Sequence, residues 1–369
     1  MKLLRRILIH AALAVLALLF FALPAALRTP ERIPGLEAQD RTLLRIWIAG
    51  SPGGGQAWLT SQLRKWEKQH PGVMTYLRSV SAEEALASQA VLPDVILYMP
   101  GDFTAPQELF TPLTGAASIR EELLRCGRWR GAQYGLPLCW GAWVMAIDSA
   151  LEPGSAVTPA PTTLLGRPAA TQPPSDEPQA YPLEAACKAE CPLQSPSGTA
   201  LFALQCLLGP EERPALPESF AQQSAAEVYA AFQARRCATA MLTTGQATAF
   251  SSLVSGGKGF PFRIMVPGEI VTDQVWLASL TEGAPPEAAK LLAFLSGEEA
   301  QQALTAQGLH TVRDDQHLYA AGFSCEVEQA ADRALSAVNA YLPQAEAASA
   351  AWQAFQGQIG FSQALLPLL

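Results

Sequence analysis

The residues with the clearest chemical potential form a glycine-rich run, Gly50-Ser51-Pro52-Gly53-Gly54-Gly55 followed by Gln56. It lies between an apolar strand pattern and a helical one. Backbone N–H groups at such a junction can donate to a hydroxyl or an anionic oxygen. The same run also serves as a plain turn, where glycine supplies positive φ. It is not a phosphate loop, because no Gly-Lys-Ser/Thr follows. Three tryptophans, Trp140, Trp143 and Trp276, add rigid apolar plates with one polar corner each. Trp140 and Trp143 lie three apart in an extended pattern and point to opposite faces, so at most one of them faces any one cleft. Beyond the first 27 residues the histidines are His70, His310 and His317. None adjoins a nucleophile motif, so all three read as solvated helix-end or loop residues and no enzyme activity is expected. Cys187 and Cys191 fit a local disulfide, two loop thiols, or half of a metal site whose further ligands are missing nearby. Cys126, Cys139, Cys206 and Cys237 lie in apolar patterns and are expected to be buried. No metal and no cofactor is expected.

These residues need elements to place them. Thr42–Ala49, Val73–Val80 and Val95–Met99 read as strands, with helices at Gln56–Gln69 and Ser81–Ala90 between them. Leu59, Leu63 and Trp66 share one face of the first helix, and Ser81 stands as the N-cap of the second. This β-α-β-α-β order implies an α/β protein with a mainly parallel sheet. Leu138–Ile147 is a long extended run. Leu151–Pro182 then holds eight prolines and reads as a surface loop. Helices are expected at Gly198–Leu208, Ser219–Arg236, Pro285–Leu295, Glu298–Gln307 and across Cys325–Gln356, with strands at Cys237–Leu242, Phe262–Val266 and Val271–Leu280.

The chain has 369 residues and 16% charged side chains, enough for two domains. Without the first 27 residues, which carry Lys2, Arg5, Arg6 and no acid, the formal charge moves from −8 to −11. So acidic a body excludes nucleic acid as a partner and disfavours an anionic lipid surface. Ile7–Leu27 has no charged residue and, as a helix, reaches about 31 Å, enough to cross a hydrocarbon core. With its basic flank it is either a cleaved signal peptide or a membrane anchor, and both place the body outside the cytoplasm. Seven cysteines leave at least one thiol without an intrachain partner.

Five segments in order resemble the extracellular solute-binding proteins of ABC importers, the sugar-binding group in particular. They are Leu44–Trp66, Pro93–Ile96 with Leu113, Gly131–Asp148 (GAQYGLPLCWGAWVMAID), Phe232–Gly245 (FQARRCATAMLTTG) and Pro285–Arg313. The resemblance implies a two-lobe periplasmic-binding-protein-like fold (type II), each lobe a mainly parallel sheet flanked by helices, with a ligand cleft between them. It divides the chain into residues 40–140 with 275–324 as one lobe and 141–274 with 325–369 as the other, after the leader at 1–27. It implies a monomer that captures a small solute, a sugar, and delivers it to permease subunits. Ser51, Gly53, Gly54, Gln56, Met99, Asp102, Trp140, Trp143, Thr244, Gln246 and Trp276 are the expected ligand contacts, with an indole stacked on a sugar ring. The family's helix after the crossing strand is replaced here by the proline-rich stretch, and no lipobox cysteine is present. A membrane-tethered sensing or scaffolding module on the same fold is the alternative.

Overall fold

The computed structural model describes residues 41–88, 92–114, 118–150, 199–208 and 224–342, with isolated positions at 349, 353, 363, 364, 367 and 369. The apolar segment 7–27, the proline-rich stretch 151–182, Cys187 and Cys191 lie outside the described residues. Among those described, no helix is long and apolar enough to cross a membrane.

The first sheet grows from three parallel strands, β1 (Thr42–Ile48), β2 (Val73–Ser79) and β3 (Val95–Tyr98). Helix α1 (Gly55–Gln69) joins β1 to β2, and α2 (Ala82–Ala87) joins β2 to β3. Right-handed crossovers in opposite directions put α1 and α2 on opposite faces. Leu44, Ile46 and Ile48 alternate onto one face and pack in one core with Leu59 and Leu63 of α1 and with Leu291 and Leu292 of α7 (Pro286–Leu295). Ser81 caps α2 by accepting the Glu84 N–H, as its position in the sequence implies.

β4 (Phe110–Thr111), α3 (Glu121–Cys126) and a small hairpin of β5 (Arg128–Trp129) and β6 (Ala132–Gln133) lead to β7 (Leu136–Trp140). The expected single run 138–147 divides at Gly141-Ala142, and β8 (Trp143–Asp148) enters a second sheet. There β8 lies between β9 (Thr239–Thr243) and β10 (Phe262–Met265), which α6 (Thr244–Ser255) connects. Trp143, Met145 and Ile147 pack on one side with α4 (Thr199–Leu208), and Ala146 packs on the other with Val228 and Phe232 of α5 (Ala225–Gln233). Burial on both faces is why this strand reads as a continuous apolar run. β11 (Ile270–Thr272) then leads back to β12 (Val275–Thr281), which inserts into the first sheet beside β3, β4 and β7.

The mainly parallel reading needs a correction here. β8 runs antiparallel to both its neighbours, and β12 is antiparallel to β3, β4 and β7. Each is the strand by which the chain arrives from the other lobe, so its direction is set by the crossing and not by a local β-α-β unit. The parallel pair implied by β9-α6-β10 exists, with β8 between its members.

The long C-terminal helix also differs from expectation. After α8 (Glu298–Gln302), helix α9 (Phe323–Arg333) stops at an extended Ala334, and β13 (Leu335–Ala337) pairs with β11. Burial of Leu335 and Ala337 against a waiting strand edge outweighs the helix preference of the alanines.

Candidate functional site

The Gly50–Gly55 run sits at the carboxyl end of β1, where ligand sites of open α/β sheets are found. Gly55 N–H bonds the Pro52 carbonyl, Gly54 is left-handed at φ 83°, and α1 begins without a side-chain cap. Its first-turn N–H groups have no intrahelical acceptor. Gly53 and Gly54 are exposed and Ser51 is half-buried.

Trp276 builds this loop from below. Its Nε1–H donates to the Gly50 carbonyl at 2.7 Å, and its ring lies so close to Gly55 that a Cβ there would sit 3.1 Å from it. Trp58 packs edge-on against the same indole. Beside the loop, Asp102 Oδ2 accepts the Met99 N–H at 2.8 Å, and a Cβ on Gly50 would lie 2.7 Å from that oxygen. Burial raises the Asp102 pKa, offset in part by the Met99 N–H.

The second lobe meets the loop at the start of α6. Gly245 approaches Gly53 so nearly that a Cβ on it would stand 3.0 Å from the Gly53 carbonyl oxygen. Thr243 and Gln246 form a reciprocal capping box, and Gln246 Nε2 donates to the Ala225 carbonyl. Thr244 is buried, and its hydroxyl accepts the Ala142 N–H at the crossing. Gly141 N–H bonds the Gln274 carbonyl, and the Thr272 hydroxyl donates to the Gly141 carbonyl. The two crossing segments are thus tied together where they pass. Gly308, at φ 66°, presses on α6 from the first lobe.

The structure therefore brings Gly53 to Gly245, Gly54 to Gln307, and Met99 and Asp102 to Gly50. Gln56 instead turns to the Ser79 hydroxyl. All three indoles are at most 1% exposed. Trp140 Nε1 donates to the Thr311 carbonyl and Trp143 Nε1 to Asp273 Oδ1. None of the three presents a face to solvent, so the expected stacking of an indole on a sugar ring is not available in this arrangement. Asp273 was not legible as important. It is buried, accepts from Trp143 and Gln274, and its pKa is raised by burial. An acid between two apolar strands was the available signal.

Two further readings are corrected. His310 is fully buried rather than solvated, because its backbone pairs with Trp140 and its ring lies between Trp140 and Tyr319. Cys126, Cys139 and Cys237 are buried, but Cys206 is only half-buried because it falls near the end of α4; burial still pushes its thiol up to about 12. Among the described residues no group of three or more His, Cys, Asp or Glu could hold a metal ion.

Burial lowers the pKa of His310, offset in part by Glu328, whose carboxylate lies 3.5 Å from Nδ1. An imidazole kept neutral in the native state takes up its proton on unfolding. Its contribution to stability is therefore present above about pH 6.5 and is lost as pH falls from there toward the lowered native value. Melting temperature followed from pH 7.5 to 5 is expected to fall, and to fall less in His310→Asn. Parallel profiles would refute the assignment.

No family profile and no curated protein matches the chain. Solved structures do. CpMnBP1 with mannotriose bound matches with a TM-score of 0.57 at 15% identity, covering 89% of this chain and 99% of that one. The GacH receptor of Streptomyces glaucescens GLA.O, solved unliganded and with acarbose, matches with 0.59 at 13%, covering 88% and 96%. The maltose-maltodextrin binding protein of Alicyclobacillus acidocaldarius matches with 0.56 at 13%, covering 89% and 98%. The chain has the two-lobe fold of the periplasmic binding proteins.

Proposed function

We propose that this chain is an extracytoplasmic solute-binding protein that holds a small carbohydrate between its lobes and passes it to permease subunits. The observation that carries this reading is the meeting of Gly53 with Gly245. It joins the uncapped start of α1 and the start of α6, one from each sheet, across paired crossing segments that can act as a hinge. Ser51 stands two residues before Gly53 in the same loop, and Met99 and Asp102 lie against Gly50 at its start. Backbone donors, a hydroxyl and a carboxylate suit a neutral polyhydroxyl solute, which enters when the lobes part. The mannotriose, acarbose and maltodextrin named for the structural neighbours support a sugar as the solute. Residues 7–27 tether the body to the outer face of the membrane, supported by their length and lack of charge.

Thermal shift and calorimetry with mannotriose, maltotetraose and acarbose test the assignment. A true ligand at 100 Kd adds about 2.7 kcal/mol to stability. Asp102→Asn keeps an acceptor for the Met99 N–H, and is expected to melt as the parent does while binding about tenfold more weakly, the size of one charge-assisted hydrogen bond. A sugar panel without any response would overturn the reading. It would favour the tethered sensing or scaffolding module, a reading also supported by lobes that touch with all three indoles sealed.

A further inference from the structure

Three of the exposed large apolar side chains of the described residues gather on β1 and β2, and a fourth lies on α2, the helix that follows β2. Leu43, Met74, Tyr76 and Leu86 are 46%, 47%, 54% and 47% exposed, and beyond them only Leu369, at the chain end, is comparably open. The register sets Leu43 beside Met74 and Arg45 beside Tyr76, all on one face of the sheet. β1 runs from this place toward the Gly50 loop, so the face lies at the end of the sheet away from the cleft. The crossover that should cover it is short. α2 has six residues and reaches the face through the Glu84 pair with Arg78, at the other end of β2. Leu43, Met74 and Tyr76 remain outside it.

We propose that this face of β1 and β2, with Leu86, lies in the headgroup zone of the membrane that residues 7–27 enter. The proposal rests on the tether reading given above. Three observations choose lipid as the occupant. First, the apolar segment ends at Leu27 and β1 begins at Thr42. The residues between, 28–41, span at most about 50 Å fully extended, and they lead directly into the strand that carries Leu43. Second, the face mixes leucine and methionine with a tyrosine and two arginines, Arg45 and Arg78, the composition of an interfacial surface. Third, two of the acids beside it are engaged: Glu84 pairs with Arg78, and Asp94 Oδ2 accepts the Arg45 backbone N–H. The rest of the body carries the net negative charge, so an anionic leaflet repels other orientations and tolerates this one.

Hydrogen exchange of residues 73–79 and 82–88 tests this on the full chain, in phosphatidylcholine nanodiscs with 30% phosphatidylglycerol and in amphipol. Exchange is expected to be at least fivefold slower in the nanodisc. The triple variant Leu43→Ser, Met74→Ser, Tyr76→Ser, checked for a cooperative melt, is expected to lose that slowing while still resisting carbonate extraction. Equal exchange in nanodisc and amphipol overturns the proposal. Slowing in amphipol that grows with protein concentration also overturns it, and identifies a second copy as the occupant. Release by carbonate with residues 73–79 still protected removes the tether reading and leaves the lipid face standing.

Discussion

Trp276→Ala is expected to lower stability by about 3–5 kcal/mol, the usual cost of deleting a large buried aromatic side chain, and to abolish solute binding. The ring is fully buried, fills the space beneath Gly55, and packs against Trp58. Its N–H holds the Gly50 carbonyl. Trp276→Phe separates the two roles. It keeps most of the ring but leaves the carbonyl unbonded, a loss of about 1–3 kcal/mol. Urea unfolding and calorimetry on both variants check this. Full sugar affinity in a folded Trp276→Phe protein would show that the loop does not need its indole brace.

Gly308→Ala gives the second large effect. The left-handed conformation alone costs an L-residue about 1–2 kcal/mol. Here the new Cβ would also stand 2.1 Å from the Thr248 hydroxyl, with the Thr244 carbonyl at 3.1 Å. Overpacking of that kind adds about 1–3 kcal/mol. Gly283 provides the control: it shares a positive φ of 79° but has nothing within 4 Å of a built Cβ. Gly283→Ala is expected to show the conformational cost alone. Equal denaturation midpoints for the two variants would mean that α6 yields to Gly308 and does not bear on it.

Much of the first sheet was legible because its strands and helices alternate locally. Leu44, Ile46 and Ile48 announce a buried face, and Leu59, Leu63 and Trp66 announce the helix that covers it. The Gly50 loop was legible for the same reason, as a turn between two periodic segments. What escaped was set by partners far along the chain. The direction of β8 and β12 depends on which lobe the chain comes from, which no window of residues contains. β13 forms because β11 offers an edge, against the preference of an alanine-rich segment. His310 is buried by Trp140 and Tyr319, neither of which adjoins it in sequence. The tryptophans were recognised as important, but their N–H partners on Gly50, Thr311 and Asp273 are tertiary facts.

The insertion of β12 beside β3 sets an order of events for a newly made chain. Tyr98 bonds the Ser279 hydroxyl across 181 positions, and β3 obtains its second neighbour only when that distant strand is available. Ribosomal synthesis has by then passed every strand of the β10-β8-β9 sheet. Until that point the nascent first lobe is a three-stranded fragment with an open apolar edge, which long-range pairing closes slowly. While it waits, that edge of β3 is open to pairing with other chains, so crowding of partly made copies is the hazard this strand order creates.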